Sequence, residues 1–181
     1  GSVKAGQIFI SIGAGQDSAG LGERLGENTK VIRTMPNTPA MVGEGMTASV
    51  SMNDHRRRNC TCCKTLRHLR QDRGDPGASD GRVVGVSGSS PAYVFMFLEA
   101  MADAAVADGM PRAQAYKFAA QSVLGSAKLM QETGKHPGEL KDMVCSPAGT
   151  TIQAVRVLEE KGFRSAVIEA QTECVKKAKG M

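Results

Sequence analysis

Apolar residues follow two different rhythms along this chain. Up to about residue 52 they come in short runs. Gln7-Ile8-Phe9-Ile10-Ser11-Ile12 is apolar, rich in β-branched residues, and ends at Gly13-Ala14-Gly15. That is the pattern of a buried strand followed by a turn. Leu21 to Leu25 suggests a short helix weakened by Gly20 and Gly22. Lys30 to Thr34 predicts a second strand and Gly45 to Met52 a third. Between them lies Met35-Pro36-Asn37-Thr38-Pro39, where two prolines argue against regular structure. From Gly85 onward the spacing becomes helical. Ser90-Pro91 reads as an N-cap and a first helical residue, and Val94, Phe97, Leu98, Met101, Ala105 and Val106 form one stripe ended by Gly109. A second helix opens at Pro111, with Ala115, Phe118, Ala119, Val123, Leu124 and Leu129 expected inward and Gly134 as its stop. A short helix from Pro137, one from Thr150 to Glu160 ended by Gly162, and one from about Arg164 to Lys179 complete the pattern.

Strand, helix and strand at the front resemble the end of a dinucleotide-binding sheet. The predicted fold class is therefore α/β followed by all-α: the end of a Rossmann-like sheet (residues 1–82), then a helical bundle (residues 83–181). No Gly-x-Gly-x-x-Gly follows an early strand anywhere in the 181 residues.

The chemistry concentrates in the run from His136 to Thr151, HPGELKDMVCSPAGTT. Pro137 suits a first helical position, Ser146-Pro147-Ala148-Gly149 is turn chemistry, and Ile152, Val155 and Leu158 resume helical spacing. The backbone N–H groups of Gly149, Thr150 and Thr151 are thus expected at a helix N-terminus without intrahelical partners, a setting that attracts an anion. The hydroxyls of Ser146, Thr150 and Thr151 add donors and acceptors. An ordinary Ser/Thr cap without a ligand explains the same residues.

The longer string His-Pro-Gly-x-Leu-Lys-Asp-x-Val-x-Ser-Pro-x-Gly-Thr-Thr-Ile resembles the signature of the pyrroline-5-carboxylate reductases. Val31-Ile32-Arg33-Thr34-Met35-Pro36-Asn37-Thr38-Pro39-Ala40 and Gly85-Val86-Ser87-Gly88-Ser89-Ser90-Pro91-Ala92-Tyr93 agree with the family in order. The resemblance covers most of the chain outside residues 55 to 82. It implies an oxidoreductase that transfers hydride from NADPH (or NADH) to the imine carbon of 1-pyrroline-5-carboxylate, giving proline. It also implies a helical domain that interlocks with a second subunit as a homodimer or higher homo-oligomer. By resemblance Ile12, Gly13 and Ala14 lie beside the nicotinamide, and Asn37 orients nicotinamide or substrate. Ser146, Gly149, Thr150 and Thr151 hold the substrate carboxylate, Thr151 hydrogen-bonds the ring nitrogen, and Glu44 lies near the substrate. For Asn37 the plain alternative is a turn former, and for Glu44 a surface carboxylate. His136 is expected to cap its helix and Cys145 to pack. Ala148 stands where the family usually has a second glycine.

Residues 55–80 depart from the family. They hold six Arg and one Lys against three Asp, +4 of the chain's net +5. Cys60, Cys62, Cys63 and His68 lack the paired spacing of a zinc site, and the Arg run has no aromatic interleaving for nucleic acid. Read one base out of frame, the stretch can encode TEEETARVVKRFDIFGKTEVIPEQVMD: an acidic-start amphipathic helix, a Gly stop, a short strand and a turn. This predicts a frame shift entering near Asp54 and leaving near Arg82.

Composition adds boundaries. Five cysteines without scaffold spacing point to a reducing compartment, with the cytoplasm as the expectation. No continuous run of about 18 apolar residues predicts a membrane span, and no charged-then-apolar leader is seen. No metal, nucleic-acid or membrane partner is expected. Two rival classes remain at this point: a non-catalytic helical dimerisation module, and a related two-domain dehydrogenase with another substrate. The second would need a Lys or His facing the nicotinamide, and none stands out near Gly149.

Overall fold

The computed structural model describes residues 7–13, 24–26, 29–51, 71–74 and 81–180. The chain divides into two compact units, Gly1–Pro91 with Ala170–Met181, and Ala92–Glu169. The sequence boundary at 82/83 falls inside the first of them.

The first unit is built on four strands in the order β1-β2-β3-β4: Ile8–Ser11, Lys30–Pro36, Met46–Ser51 and Gln71–Gly74. β1 and β2 are parallel with Ile8 opposite Lys30, β2 and β3 antiparallel with Pro36 opposite Thr47, and β3 and β4 parallel with Met46 opposite Gln71. β2 is flanked on both edges and buries Val31, Ile32 and Thr34, while β3 buries Thr47 and Ala48. Adjacent residues of β2 point to opposite faces, so both of its faces are covered there.

Two expectations need correction. The first strand reads as buried, yet Ile8, Ile10 and Ile12 are 40%, 41% and 69% exposed. An apolar β-branched run specifies a strand, whereas burial of both faces needs covering layers, and among the described residues β1 pairs only with β2. The prolines also do not abolish structure after Thr34. Pro36 is the last residue of β2, and Pro39 lies in the first turn of a 3₁₀ helix, Thr38–Val42. Both are positions where a missing N–H costs no necessary hydrogen bond.

Most of residues 52–80, including Cys60, Cys62, Cys63 and His68, lies outside the described residues; β4 is the exception. Peptide mass spectrometry across residues 50–85 of the purified protein is expected to find TEEETARVV-type peptides. Recovery of the Cys- and Arg-rich peptides instead would end the frame-shift account.

The turn into the helices is continuous. Arg82 and Val83 are helical, a π-helical segment runs Val84–Gly88, and helix α1 follows at Ser90–Ala107. Ser90 is therefore not the first cap of this helix; its hydroxyl donates back to the Val86 carbonyl. Gly85 is buried, and a Cβ there would stand 3.0 Å from Val175 Cγ2. The Cys174 thiol donates to Ser89 Oγ at 3.1 Å.

Beyond α1 come α2 (Arg112–Thr133), α3 (Pro137–Val144), α4 (Thr150–Glu160) and α5 (Phe163–Lys179). These match the expected helices closely, and Gly109, Gly134 and Gly162 end α1, α2 and α4 in left-handed conformations. The stripes differ from expectation. The buried residues of α1 and α2 are Ala102, Ala115 and Ala119, whereas Phe118, Leu124 and Leu129 are exposed. Alanines permit close approach, so the large side chains of these helices remain at the surface of the single chain. Arg112 on α2 pairs with Asp103 on α1 and lies 5.6 Å from the Tyr116 ring centroid. The hydrogen bond that Arg112 donates to the Asp103 carboxylate raises the Arg112 pKa above its usual value. By length and composition alone the run Val84–Ala107, with mean hydropathy 1.2, is long and apolar enough to cross a membrane, a test that core helices of soluble proteins also pass.

Candidate functional site

The predicted residues gather in two places, one in each unit. The first is an edge of the sheet. Because β1 and β2 are parallel and β3 antiparallel to β2, the C-terminal ends of β1 and β2 and the start of β3 share that edge. Ile12 and Gly13 leave β1 there, both exposed; Ala14 lies outside the described residues. The two strand ends are tied by Thr34 Oγ1, which donates to the Ser11 carbonyl at 3.2 Å.

Asn37 follows β2 at the same edge. Its side-chain Oδ1 accepts from the Met46 N–H at 2.9 Å and makes no cap bond to the 3₁₀ helix. This holds the loop against the start of β3, so Asn37 has an architectural task whatever else it touches. Glu44 is exposed between two glycines, and its N–H donates to the Pro39 carbonyl at 3.1 Å. Gly45 is required by space: a Cβ would come within 2.7 Å of Ala40 Cα. The steric role of Gly45 and the strand-tying role of Thr34 are not among the sequence expectations. Gly-Glu-Gly hinted at the first, and nothing local marked the second.

The second place is the turn between α3 and α4. His136 caps α3, its Nδ1 accepting from the Gly138 N–H at 3.1 Å, as its position before Pro137 suggests. Lys141 pairs with the Asp142 carboxylate, and that hydrogen bond raises the Lys141 pKa. At the C-terminal end Cys145 donates its N–H to the Asp142 carbonyl at 3.0 Å. Then Ser146, Pro147, Ala148 and Gly149 turn the chain, with the Gly149 N–H donating to the Ser146 carbonyl at 3.1 Å. This corrects one expectation: the Gly149 N–H is used within the turn. Gly149 is the N-cap of α4 with φ −73° and ψ 169°, so the first unpartnered helical donors belong to Thr150 and Thr151.

Gly149 packs against Ser146 so closely that a Cβ would stand 2.3 Å from Ser146 Oγ. Ser146 and Thr150 are exposed and Thr151 is half-buried. Among the described residues, none accepts a hydrogen bond from the Thr150 or Thr151 hydroxyl. Two backbone donors and up to three hydroxyls thus converge at the positive end of an 11-residue helix. Such an array suits a carboxylate.

Residues 81–181 match the family model described as pyrroline-5-carboxylate reductase dimerisation. Over 182 positions the chain is 57% identical to the pyrroline-5-carboxylate reductase of Escherichia coli (strain K12), covering 98% of this chain and 66% of that protein. The solved structure of 1-pyrroline-5-carboxylate reductase from Streptococcus pyogenes is similar with a TM-score of 0.88 at 30% identity, over 97% of this chain and 68% of that one. Pyrroline carboxylate reductase from Plasmodium falciparum, solved with NADP bound, is similar with a TM-score of 0.81 at 28% identity, over 96% and 69%. The chain thus spans about two thirds of the length of these relatives.

Proposed function

The chain belongs to the pyrroline-5-carboxylate reductase family, and on that premise we propose that it serves the reduction of 1-pyrroline-5-carboxylate to L-proline by NADPH, or by NADH. The observation that carries the reading is the α3–α4 turn. The substrate is a five-membered ring bearing a carboxylate, and Ser146, Thr150 and Thr151 offer that carboxylate hydroxyl and backbone donors at a helix N-terminus. The protonated ring nitrogen donates to the hydroxyl oxygen of Thr151. When bound, the reduced nicotinamide supplies the hydride that adds to the imine carbon; the C=N π pair then settles on nitrogen, which holds a proton.

Ile12 and Gly13 fit the nicotinamide side of the cofactor. One offers an exposed apolar surface and the other an open backbone at the C-terminal edge of parallel strands. Asn37 and Glu44 belong to the same edge, and Ala14 joins them by position in the sequence. No phosphate-binding glycine loop is assigned within these 181 residues. The test is oxidation of NADPH on addition of 1-pyrroline-5-carboxylate, with L-proline identified as product. Absence of NADPH binding would favour the rival reading, a helical dimerisation module without its own catalysis.

The partner in this proposal is a second copy of the chain, extending to higher homo-oligomers. Phe95, Met96 and Phe118 are 61%, 70% and 61% exposed while the helices bury alanines, and patches of this kind mark interaction surfaces. A cavity of about 390 Å³ between α1 and α2 is lined by Phe95, Met96, Leu98, Glu99, Tyr116 and Ala120. A second subunit also accounts for the apolar face of Val84–Ala107 without a membrane. Phe118→Arg is expected to weaken the dimer at least about 30-fold, as loss of a buried aromatic anchor does. Sedimentation equilibrium checks it, and an unchanged dimer would exclude Phe118 from the interface. The cytoplasm is the proposed compartment, in keeping with the free thiols of Cys145 and Cys174.

A further inference from the structure

We infer that Thr34 is a positioning residue for the nicotinamide side of the cofactor site, a role that rests on the reading proposed above. Thr34 is 3% exposed, and its hydroxyl donates to the Ser11 carbonyl at 3.2 Å. The paired register of β1 and β2 ends with Ser11 opposite Arg33. Thr34 therefore lies one residue beyond the last pair, and its side chain carries the connection between the strands past the point where their register stops. Ser11 is also the last residue of β1, directly before Ile12 and Gly13. Ile12 is 69% exposed, and among the described residues β1 has one neighbouring strand.

A strand end with few buried contacts opens locally at little cost. The Thr34 hydroxyl opposes that opening. The Ser11 carbonyl and the Ile12 N–H belong to one planar peptide unit, so a bond to the carbonyl sets the direction in which the chain leaves the sheet. The other end of the bond is firm: β2 is paired on both edges, and the side chain of a β-branched residue is restricted at χ1. Thr34 thus ties a free strand end to a fixed strand, and the residues oriented by the tie are the two proposed to meet the nicotinamide. It acts through the Ser11–Ile12 peptide, holding the Ile12 side chain and the Gly13 backbone in place before the cofactor binds, and so lowers the ordering that binding requires. Thr47 provides a contrast at the same edge. It is fully buried near the start of β3, opposite Pro36, and its Oγ1 has no hydrogen-bond partner. Burial alone therefore does not give a threonine here a bond to a neighbouring strand.

The experiment compares the parent protein with Thr34→Val, Thr34→Ser and Thr47→Val by three readouts. These are backbone order parameters of Ile12 and Gly13 from amide relaxation, NADPH affinity from nicotinamide fluorescence, and thermal melting. Valine keeps the β-branched shape and removes the hydroxyl, while serine keeps the donor. Thr34→Val is expected to lower the order parameters of Ile12 and Gly13 by at least about 0.1 and to weaken NADPH binding about three- to tenfold, the range set by one hydrogen bond. In turnover the KM for NADPH rises with it, and the KM for 1-pyrroline-5-carboxylate does not. Thr34→Ser is expected to return order and affinity toward the parent values. Thr47→Val loses a hydroxyl that has no partner, so it is expected to melt no lower than the parent and to leave NADPH affinity unchanged. The inference is overturned if Thr34→Val leaves the order parameters unchanged, or if they fall while NADPH affinity holds. It is equally overturned if Thr47→Val weakens NADPH binding as much as Thr34→Val does, because the loss then does not come from the tie. If the parent itself binds no NADPH, the cofactor reading falls and the positioning role with it; the order parameters then still tell whether Thr34 holds the strand end.

Discussion

Thr151→Val is expected to lower kcat for the proposed reduction of 1-pyrroline-5-carboxylate by about 10²- to 10³-fold, the range seen when a positioned acid–base partner is lost, with a much smaller change in KM. Valine has nearly the shape of threonine, and Thr151 is only half-buried in the first turn of α4, so the helix and the melting temperature are preserved. What disappears is the hydroxyl proposed to face the ring nitrogen. By accepting from the protonated nitrogen the hydroxyl favours the iminium, the form that takes hydride, so its loss is expected to weigh on the chemical step more than on binding. The backbone N–H of residue 151 remains, and with it most of the grip on the carboxylate. Steady-state kinetics with separate kcat and KM decide the matter. An effect confined to KM would make Thr151 a binding residue alone, and no effect would remove it from the chemistry.

Gly149→Ala acts on the other half of the site and is expected to raise the KM for substrate, or the Kd for L-proline, by about 10- to 100-fold, the cost of one or two hydrogen bonds to a charged group. The cause is steric. A Cβ at residue 149 would lie 2.3 Å from Ser146 Oγ and 3.2 Å from the Ser146 carbonyl oxygen. Ser146 has to swing away, or the turn has to open and release the Gly149 N–H from that carbonyl. The φ of Gly149, −73°, is open to any residue, so the conflict is with space and not with backbone conformation. Coupling tells the two consequences apart. If the loss comes through Ser146, then Ser146→Ala and Gly149→Ala are strongly non-additive, the double variant costing little more than either single one. Full additivity would mean that the glycine matters for another reason.

Much of this site was readable from the chain. Pro137, Gly149 and the Ile152, Val155 and Leu158 spacing placed two helices and the turn between them, because local backbone preferences decide where helices start and stop. His136 as a cap followed from the same logic. Less legible were features that depend on contacts made elsewhere. The pairing of the Gly149 N–H with the Ser146 carbonyl needs the left-handed turn at Ala148, which alanine does not advertise. Asn37 bonds to Met46, nine residues on, and Gly45 is dictated by Ala40; both arise from a loop folding back on itself. The exposure of Phe118 and Leu124 was also hidden, since an apolar stripe looks the same whether it meets its own chain or another. In the sheet, apolar runs revealed β1 to β3, whereas β4 (Gln71–Gly74) has no apolar run to mark it, and the reversal of β3 relative to β2 came only with the structure.

The account stands or falls on the carboxylate site, and its most direct test is a titration followed by amide chemical shifts at Gly149, Thr150, Thr151 and Ile152. L-Proline and pyrrolidine present the same ring and differ in the carboxylate. The account predicts saturable shifts at these four amides with L-proline, and at least about tenfold weaker or absent shifts with pyrrolidine, since hydrogen bonds to a charged group carry the recognition. Equal responses to both compounds, or L-proline binding that leaves these amides unmoved, would contradict it.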